Sequence, residues 1–233
     1  MKQPLLMTIL PHPDDESFPV GGTLARYVAT GVRVILVSAT RGEVGVPGLA
    51  PAEAARIRSA ELQAAARTLG AEQVIFLGYM DGTLAEFKSD ITTRLVQLLQ
   101  QFRPDAVITF GPDGISGNPD HVALSECVTR SFRQSGLPGR LFYIAPSEAT
   151  LQGCGVVPSQ EAAGGPVASI DITDYRLPKL RAMQSHASQN PPFTGDPEIE
   201  IENLACHEYF ALARPSGKFA DATDLFAPLK EKL

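Results

Sequence analysis

The sequence is poor in the features that mark several large functional classes. Its three cysteines, Cys127, Cys154 and Cys206, lie far apart and form no CxxC pair. An odd, scattered set argues against a disulfide framework and for a reducing cytoplasm, with the cysteines as small buried hydrophobes. Excess positive charge is missing too: 20 Lys and Arg stand against 26 Asp and Glu, a net charge of −6. That balance offers no basic face for a phosphate backbone, so nucleic acid is not expected as a partner. No stretch reaches the roughly 20 apolar residues of a membrane span, and the N-terminal apolar run is short and ends in charge, unlike a secretory signal. Nor is that first run followed by the glycine-rich turn that cradles a pyrophosphate, which makes a nucleotide-binding Rossmann protein a poor reading. Internal repeats and a convincing linker are also lacking, so residues 1–233 are read as one domain, within the roughly 250 residues at which a single core stops growing.

What is present is an ordinary globular composition, 44% apolar and 20% charged, with a regular pattern. Four apolar runs, LLMTIL (5–10), VRVILVSA (32–39), QVIFLG (73–78) and DAVITF (105–110), have the Val/Ile/Leu content of parallel strands buried on both faces. Helical patterns lie between them. The stretch 51–70 has Pro51 near its start and Gly70 where a C-cap belongs. In 89–105, Ile91, Leu95, Leu98, Leu99 and Phe102 share one face until Pro104 ends the run. Strand alternating with helix predicts a Rossmann-like, doubly wound α/β fold: a mostly parallel sheet with helices on both faces. Further along, 141–145, 168–173 and 208–213 read as strands, 174–186 as a broken helix and 146–166 as a long loop.

In such sheets ligands bind beyond the carboxyl ends of the strands. The first strand runs into PHPDDE (11–16), the second into SATRGEVG (38–45), the third into GYMDG (78–82) and the fourth into GPDGISGNPDH (111–121), so the polar clusters of the first half share one sheet edge. Asp14, Asp15 and Glu16 are adjacent like charges that need a cation nearby. His12, Asp14, Asp15, Asp120 and His121 form a His/Asp set suited to a divalent metal, and zinc takes such nitrogens and oxygens while a catalytic site keeps one position for water. His12 and Asp15 can ligate from one tight turn opening a helix, and His121 closes the set. Asp14 can then act on the water, whose pKa zinc lowers to about 7. For HPDD alone a turn and helix cap is an equally good account; the second cluster, NPDH, is what favours the metal. Glu16 reads as a first-turn acid facing the helix dipole.

PHPDDE, TRGE, RSAE followed by LG, LGYMDG and GPDGISGNPDH together resemble the LmbE-like family. These are the zinc-dependent N-acetylglucosaminyl-phosphatidylinositol de-N-acetylases and the deacetylases of mycothiol and bacillithiol synthesis. The resemblance implies a zinc-dependent deacetylase acting on an N-acetylated, glucosamine-containing small molecule, in a family that often forms homo-oligomers. It makes His12, Asp15 and His121 the zinc ligands and Asp14 the general base. Arg41 and Asp81 fall where family members contact sugar hydroxyls; a salt bridge and a turn are their plainer alternatives. His186, in a His-x-Ser-Gln pattern, is a third substrate-side candidate, with a packed or solvent-facing helix position as its alternative. The family usually reads HPDH where this chain has NPDH. Asn118 therefore replaces a histidine that works with the position of Asp120 on the tetrahedral oxyanion, and Asn donates a hydrogen bond but delivers no proton. Lower activity, a different acid and a different substrate all stay open.

His207 reads as structural, and Arg58 with Glu61, three apart on the long helix, as an ordinary ion pair. Two other functions compete: a weakly active or inactive sugar-binding member of the family, and a His/Asp metallophosphoesterase, which would want more than the four histidines present. Residues 44–50, 146–166 and 190–198 are the expected pocket walls.

Overall fold

The computed structural model describes residues 2–145, 168–189, 195–213 and 223–226. The expected loop at 146–166, and 190–194 of the expected pocket wall 190–198, lie outside the described residues.

The four apolar runs form β1 (Leu5–Leu10), β2 (Arg33–Ser38), β3 (Gln73–Phe76) and β4 (Ala106–Phe110), and β5 (Arg140–Ile144) follows. All five are parallel neighbours. β7 (His207–Leu212) pairs antiparallel with β5, and β6 (Ala168–Asp171) pairs antiparallel with β7. The sheet order is β3-β2-β1-β4-β5-β7-β6, which is the doubly wound fold expected, extended by an antiparallel edge.

The helices α1 (Gly21–Ala29), α2 (Pro51–Leu69), α3 (Lys88–Phe102), α4 (Pro119–Ser135) and α5 (Arg176–Gln184) cover both faces, with α6 (Pro197–Asn203) further along. Alternation along β1 sorts the core. Leu6 and Leu10 join Leu24 and Tyr27 of α1, Leu62 and Leu69 of α2 and Ala182 of α5 on one face. Leu5, Met7 and Ile9 join Ile91, Leu95 and Leu99 of α3 and Leu124 and Val128 of α4 on the other. The chain winds outward from β1 to β3, then crosses to β4 on the opposite side of β1. A right-handed crossover in the reversed direction must use the other face, and the crevice opens where the winding reverses, at the carboxyl ends of β1 and β4.

α2 ends on Gly70 in the left-handed conformation, as its sequence predicts. α4 begins where Asn118 caps it, its Oδ1 accepting from Asp120 N at 2.9 Å. Glu208 of β7 does the same for α1, accepting from Gly22 N at 3.1 Å and Thr23 N at 2.7 Å, while Lys179 Nζ of α5 donates to it at 2.7 Å. Both charges are buried. Glu208→Ala leaves Lys179 uncompensated and the first turn of α1 without acceptors, and is expected to lower unfolding free energy by about 3–5 kcal/mol, measured by denaturant titration.

Candidate active site

The segment 11–20 leaves β1 as a series of turns rather than as a helix, and α1 starts only at Gly21. Glu16 therefore has no helix dipole to face. It is buried instead, accepting from Asp14 N through Oε2 at 3.0 Å and meeting His186 Nε2 through Oε1 at 2.7 Å. The turn is tied to β2 through Pro11 O, which accepts from Thr40 N at 2.9 Å and Thr40 Oγ1 at 3.0 Å. Within it, His12 N donates to Asp15 Oδ2 at 2.9 Å.

The structure brings His12, Asp15 and His121 together, with one ligand-type atom of each within 4.8 Å of the others. His12 Nδ1 lies 3.5 Å from Asp15 Oδ2, and His121 Nε2 lies 3.6 Å from Asp15 Oδ1. His121 enters from the first turn of α4, its ring stacked on Phe110 at 4.1 Å between centroids. Its Nδ1 is set against Gly114 O at 3.2 Å, which orients the ring and turns Nε2 toward Asp15. Gly114 is required for this approach: its φ is +62°, and a Cβ there would lie 2.7 Å from that of His121.

The other side of His12 carries two more carboxylates. Nε2 is 3.2 Å from Asp81 Oδ1 and 3.4 Å from Asp120 Oδ2. Asp120 is buried and anchors the third strand's loop, accepting from Gly82 N at 2.7 Å and Leu84 N at 3.1 Å. Asp81 Oδ2 accepts from Val44 N at 3.3 Å. Burial pulls the His12 imidazole down, but its hydrogen bonds to Asp120, Asp15 and Asp81 outweigh that and push it up to about 12. Asp81 and Asp120 are held below the usual carboxylate range: burial acts upward on both, and His12 with the backbone N–H groups overcomes it.

His12, Asp81 and Asp120 also converge as a trio, but their carboxylate oxygens are already engaged by His12 and by backbone N–H groups. The trio His12, Asp15 and His121 offers two imidazoles and a carboxylate, a donor set that suits zinc. Asp81 and Asp120 then serve as outer carboxylates that orient His12. The concentration of negative charge, with Asp14 adjacent, suits a divalent cation at the centre.

Asp14 stands apart from both trios. Its φ of +107° is rare for a residue with a side chain. Arg58 NH2 of α2 donates to Asp14 Oδ2 at 2.9 Å and also to Pro13 O. Burial and the neighbouring charge of Asp15 push the Asp14 carboxyl up to about 7, with Arg58 restraining the rise. Arg58 is itself buried, in a slot left open by Gly42 and Gly45, where a Cβ would come within 2.4 and 2.2 Å of its guanidinium.

Arg58 makes its ion pair with Asp14 rather than with Glu61, whose carboxylate instead accepts from Ser188 N and Oγ, each at 2.7 Å. Arg41 is exposed and laid over the Phe76 ring at 4.3 Å, with NH1 donating to Ser59 Oγ at 3.1 Å, outside the His/Asp group. His186 has 0% of its surface exposed and so offers no face to a substrate; its ring points at Glu16. Asp81, expected at a sugar hydroxyl, sits on His12. Asn118 is exposed at the head of α4 with its oxygen used as the cap, which leaves its –NH2 as a donor. His207 lies exposed on β7 beside the Tyr209 ring. Arg58 is the functional candidate that sequence reasoning missed, and the signal for it was the pair of glycines in TRGEVG.

Residues 7–132 match the family described as PIG-L, GlcNAc-PI de-N-acetylase. A 1D-myo-inositol 2-acetamido-2-deoxy-α-D-glucopyranoside deacetylase of Saccharomonospora viridis is 33% identical, covering 94% of this chain and 98% of the relative. A probable N-acetyl-α-D-glucosaminyl L-malate deacetylase 2 of Bacillus anthracis is 33% identical over 79% of this chain and 80% of its own. Among solved structures, the N,N'-diacetylchitobiose deacetylase of Pyrococcus horikoshii superposes with a TM-score of 0.69 at 27% identity, covering 89% of this chain and 83% of the other. A family match spanning more than half of the residues, with relatives of this similarity along nearly the whole length, means that the chain belongs to the PIG-L (LmbE-like) family.

Proposed function

We propose that this protein is a zinc-dependent deacetylase that hydrolyses the N-acetyl group of a glucosamine-containing small molecule, releasing acetate and a free amine. The observation that carries the reading is the convergence of His12, Asp15 and His121 beside a carboxyl, Asp14, raised to about 7. A bound zinc supplies Lewis-acid polarisation of the acetyl carbonyl and acidifies an attacking water. Asp14 takes the proton of that water, a task that suits a group poised near neutrality, and Arg58 fixes the carboxylate's direction. The same proton then passes from Asp14 to the leaving nitrogen. Asn118 donates its –NH2 to the acetyl oxygen as negative charge develops there. Asp120 and Asp81 hold His12 in orientation.

The relatives support an amide hydrolase, being described as deacetylases of N-acetylglucosamine conjugates, and they do not favour the binding-only or phosphoesterase alternatives. Among the described residues no helix is long and apolar enough to cross a membrane. A cytoplasmic setting and a homo-oligomeric state belong to the same proposal. Acetate release from a panel of N-acetylglucosamine conjugates is the test. Release abolished by a chelator and restored by zinc is expected; no release from any conjugate by zinc-loaded protein overturns the reading.

A further inference from the structure

Asp14 holds a backbone conformation that a residue with a Cβ adopts only when its surroundings impose it. Two restraints are visible, one on each end of the residue. Arg58 grips the carboxylate from α2. The backbone N–H is gripped by Glu16 Oε2 at 3.0 Å. Glu16 is 2% exposed, and a buried carboxylate needs partners of its own. It has Ser17 Oγ next to it in sequence, and His186 Nε2, 170 positions further along the chain, at 2.7 Å.

His186 is unusual as a purely packing residue. It is wholly buried, and among the described residues its Nδ1 finds no hydrogen-bond partner. An unsatisfied buried nitrogen is costly, and an apolar side chain would fill the same space without that cost. Among the described residues the remaining ring nitrogen is engaged by Glu16 alone. The Glu16 carboxylate outweighs the effect of burial on the ring and moves the histidine upward from its ordinary value, which strengthens the bond through charge.

The residues beside His186 reach the other restraint. Ser188 N and Oγ both donate to Glu61, one turn along α2 from Arg58. Gln189 Nε2 donates to Gly45 O at 3.3 Å, and Gly45 walls the Arg58 guanidinium. The stretch 186–189, which follows α5 and lies outside residues 7–132, thus touches the support of the Asp14 backbone and the support of its carboxylate together.

We propose that the segment 186–189 is a clamp for the general base, with His186 as a positioning residue that acts through Glu16 to hold Asp14 in its left-handed conformation. The proposal rests on the reading of Asp14 as the base. It assigns catalytic importance to a histidine that never meets the substrate.

The test compares wild-type, H186A, H186Q and E16Q proteins. H186Q keeps one donor for residue 16, whereas E16Q removes the charge that His186 Nε2 meets and, when its amide nitrogen faces Asp14 N, loses that bond as well. In H186A, kcat per folded, zinc-loaded chain is expected to fall by about 10- to 100-fold, the range found when an outer hydrogen-bond partner is lost, with KM and zinc content unchanged. H186Q restores most of the loss. If H186A does not fold, E16Q shows the same split between kcat and KM. A crystal structure of metal-free H186A or E16Q gives a readout independent of activity: Asp14 leaves positive φ or its Arg58 contact lengthens. Wild-type kcat in folded H186A, or an unaltered Asp14 in the variant structure, overturns the clamp. If the wild-type protein releases no acetate from any conjugate, the deacetylase reading fails alone, and the Asp14 backbone in the variants still decides the clamp.

Discussion

Replacing Asp14 by Asn is expected to lower turnover by about 10²- to 10⁴-fold, the usual contribution of a positioned general acid or base, with metal binding retained. The substitution suits the question because of where Asp14 sits. Its φ of +107° lies outside the range most residues accept, but Asn tolerates positive φ better than other non-glycine residues. The backbone N–H that donates to Glu16 is unchanged. An amide oxygen can still accept from Arg58, so the guanidinium keeps a neutral partner. What Asn cannot do is take up a proton. The loss should therefore fall on kcat, with KM little affected, since a step made only in the transition state has been removed. Steady-state acetate release by zinc-replete D14N decides the matter, and a rate equal to wild type would remove Asp14 from the mechanism.

How far the sequence foretold this site follows from the range over which each contact acts. The strands and the winding of the sheet were legible because local apolar runs of the right length recur with helices between them. His12, Asp15 and His121 were legible because they directly follow β1 and β4, and those two ends must meet wherever the winding reverses. Contacts that depend on side chains reaching between elements were not. Arg58 and Glu61 are three apart on α2 and read as a local pair, but tertiary partners, Asp14 for one and Ser188 for the other, displaced that weak surface interaction. The exposed guanidinium of Arg41 lies over the Phe76 ring, a contact between elements that nothing in TRGE announces. Glu16 was assigned to a helix that starts five residues later, because nothing in HPDDE reveals that Asp14 turns the chain through a left-handed conformation first. Asp81 follows the third strand, and its approach to His12 across the sheet edge is a contact that no local pattern in GYMDG announces. The two glycines around Arg58 were visible in TRGEVG, but a small residue signals close approach without naming what approaches.

His121→Ala is the substitution expected to abolish function outright, because in the proposed zinc site it removes one of three ligands and unbalances the charge around the others. With His121 absent, His12 and Asp15 alone face the metal. The loss of affinity should exceed the roughly 10- to 100-fold that follows removal of an outer hydrogen-bond partner. Asp15 also loses a partner whose charge, second only to the opposing effect of burial, helps hold its carboxyl below the ordinary range, so the adjacent acids Asp14 and Asp15 repel with less to offset them. Zinc per chain after dialysis, and acetate release at saturating zinc, should both fall to background, while the fold persists because the substitution removes one ring stacked on Phe110 and one hydrogen bond to Gly114 O. The measurement also separates the two trios that share His12. If the metal were held by His12, Asp81 and Asp120, H121A would retain zinc and D81N would lose it. The engaged oxygens of Asp81 and Asp120 argue for the opposite order: zinc lost in H121A, and in D81N a weaker site in which His12 has one carboxylate fewer to orient it.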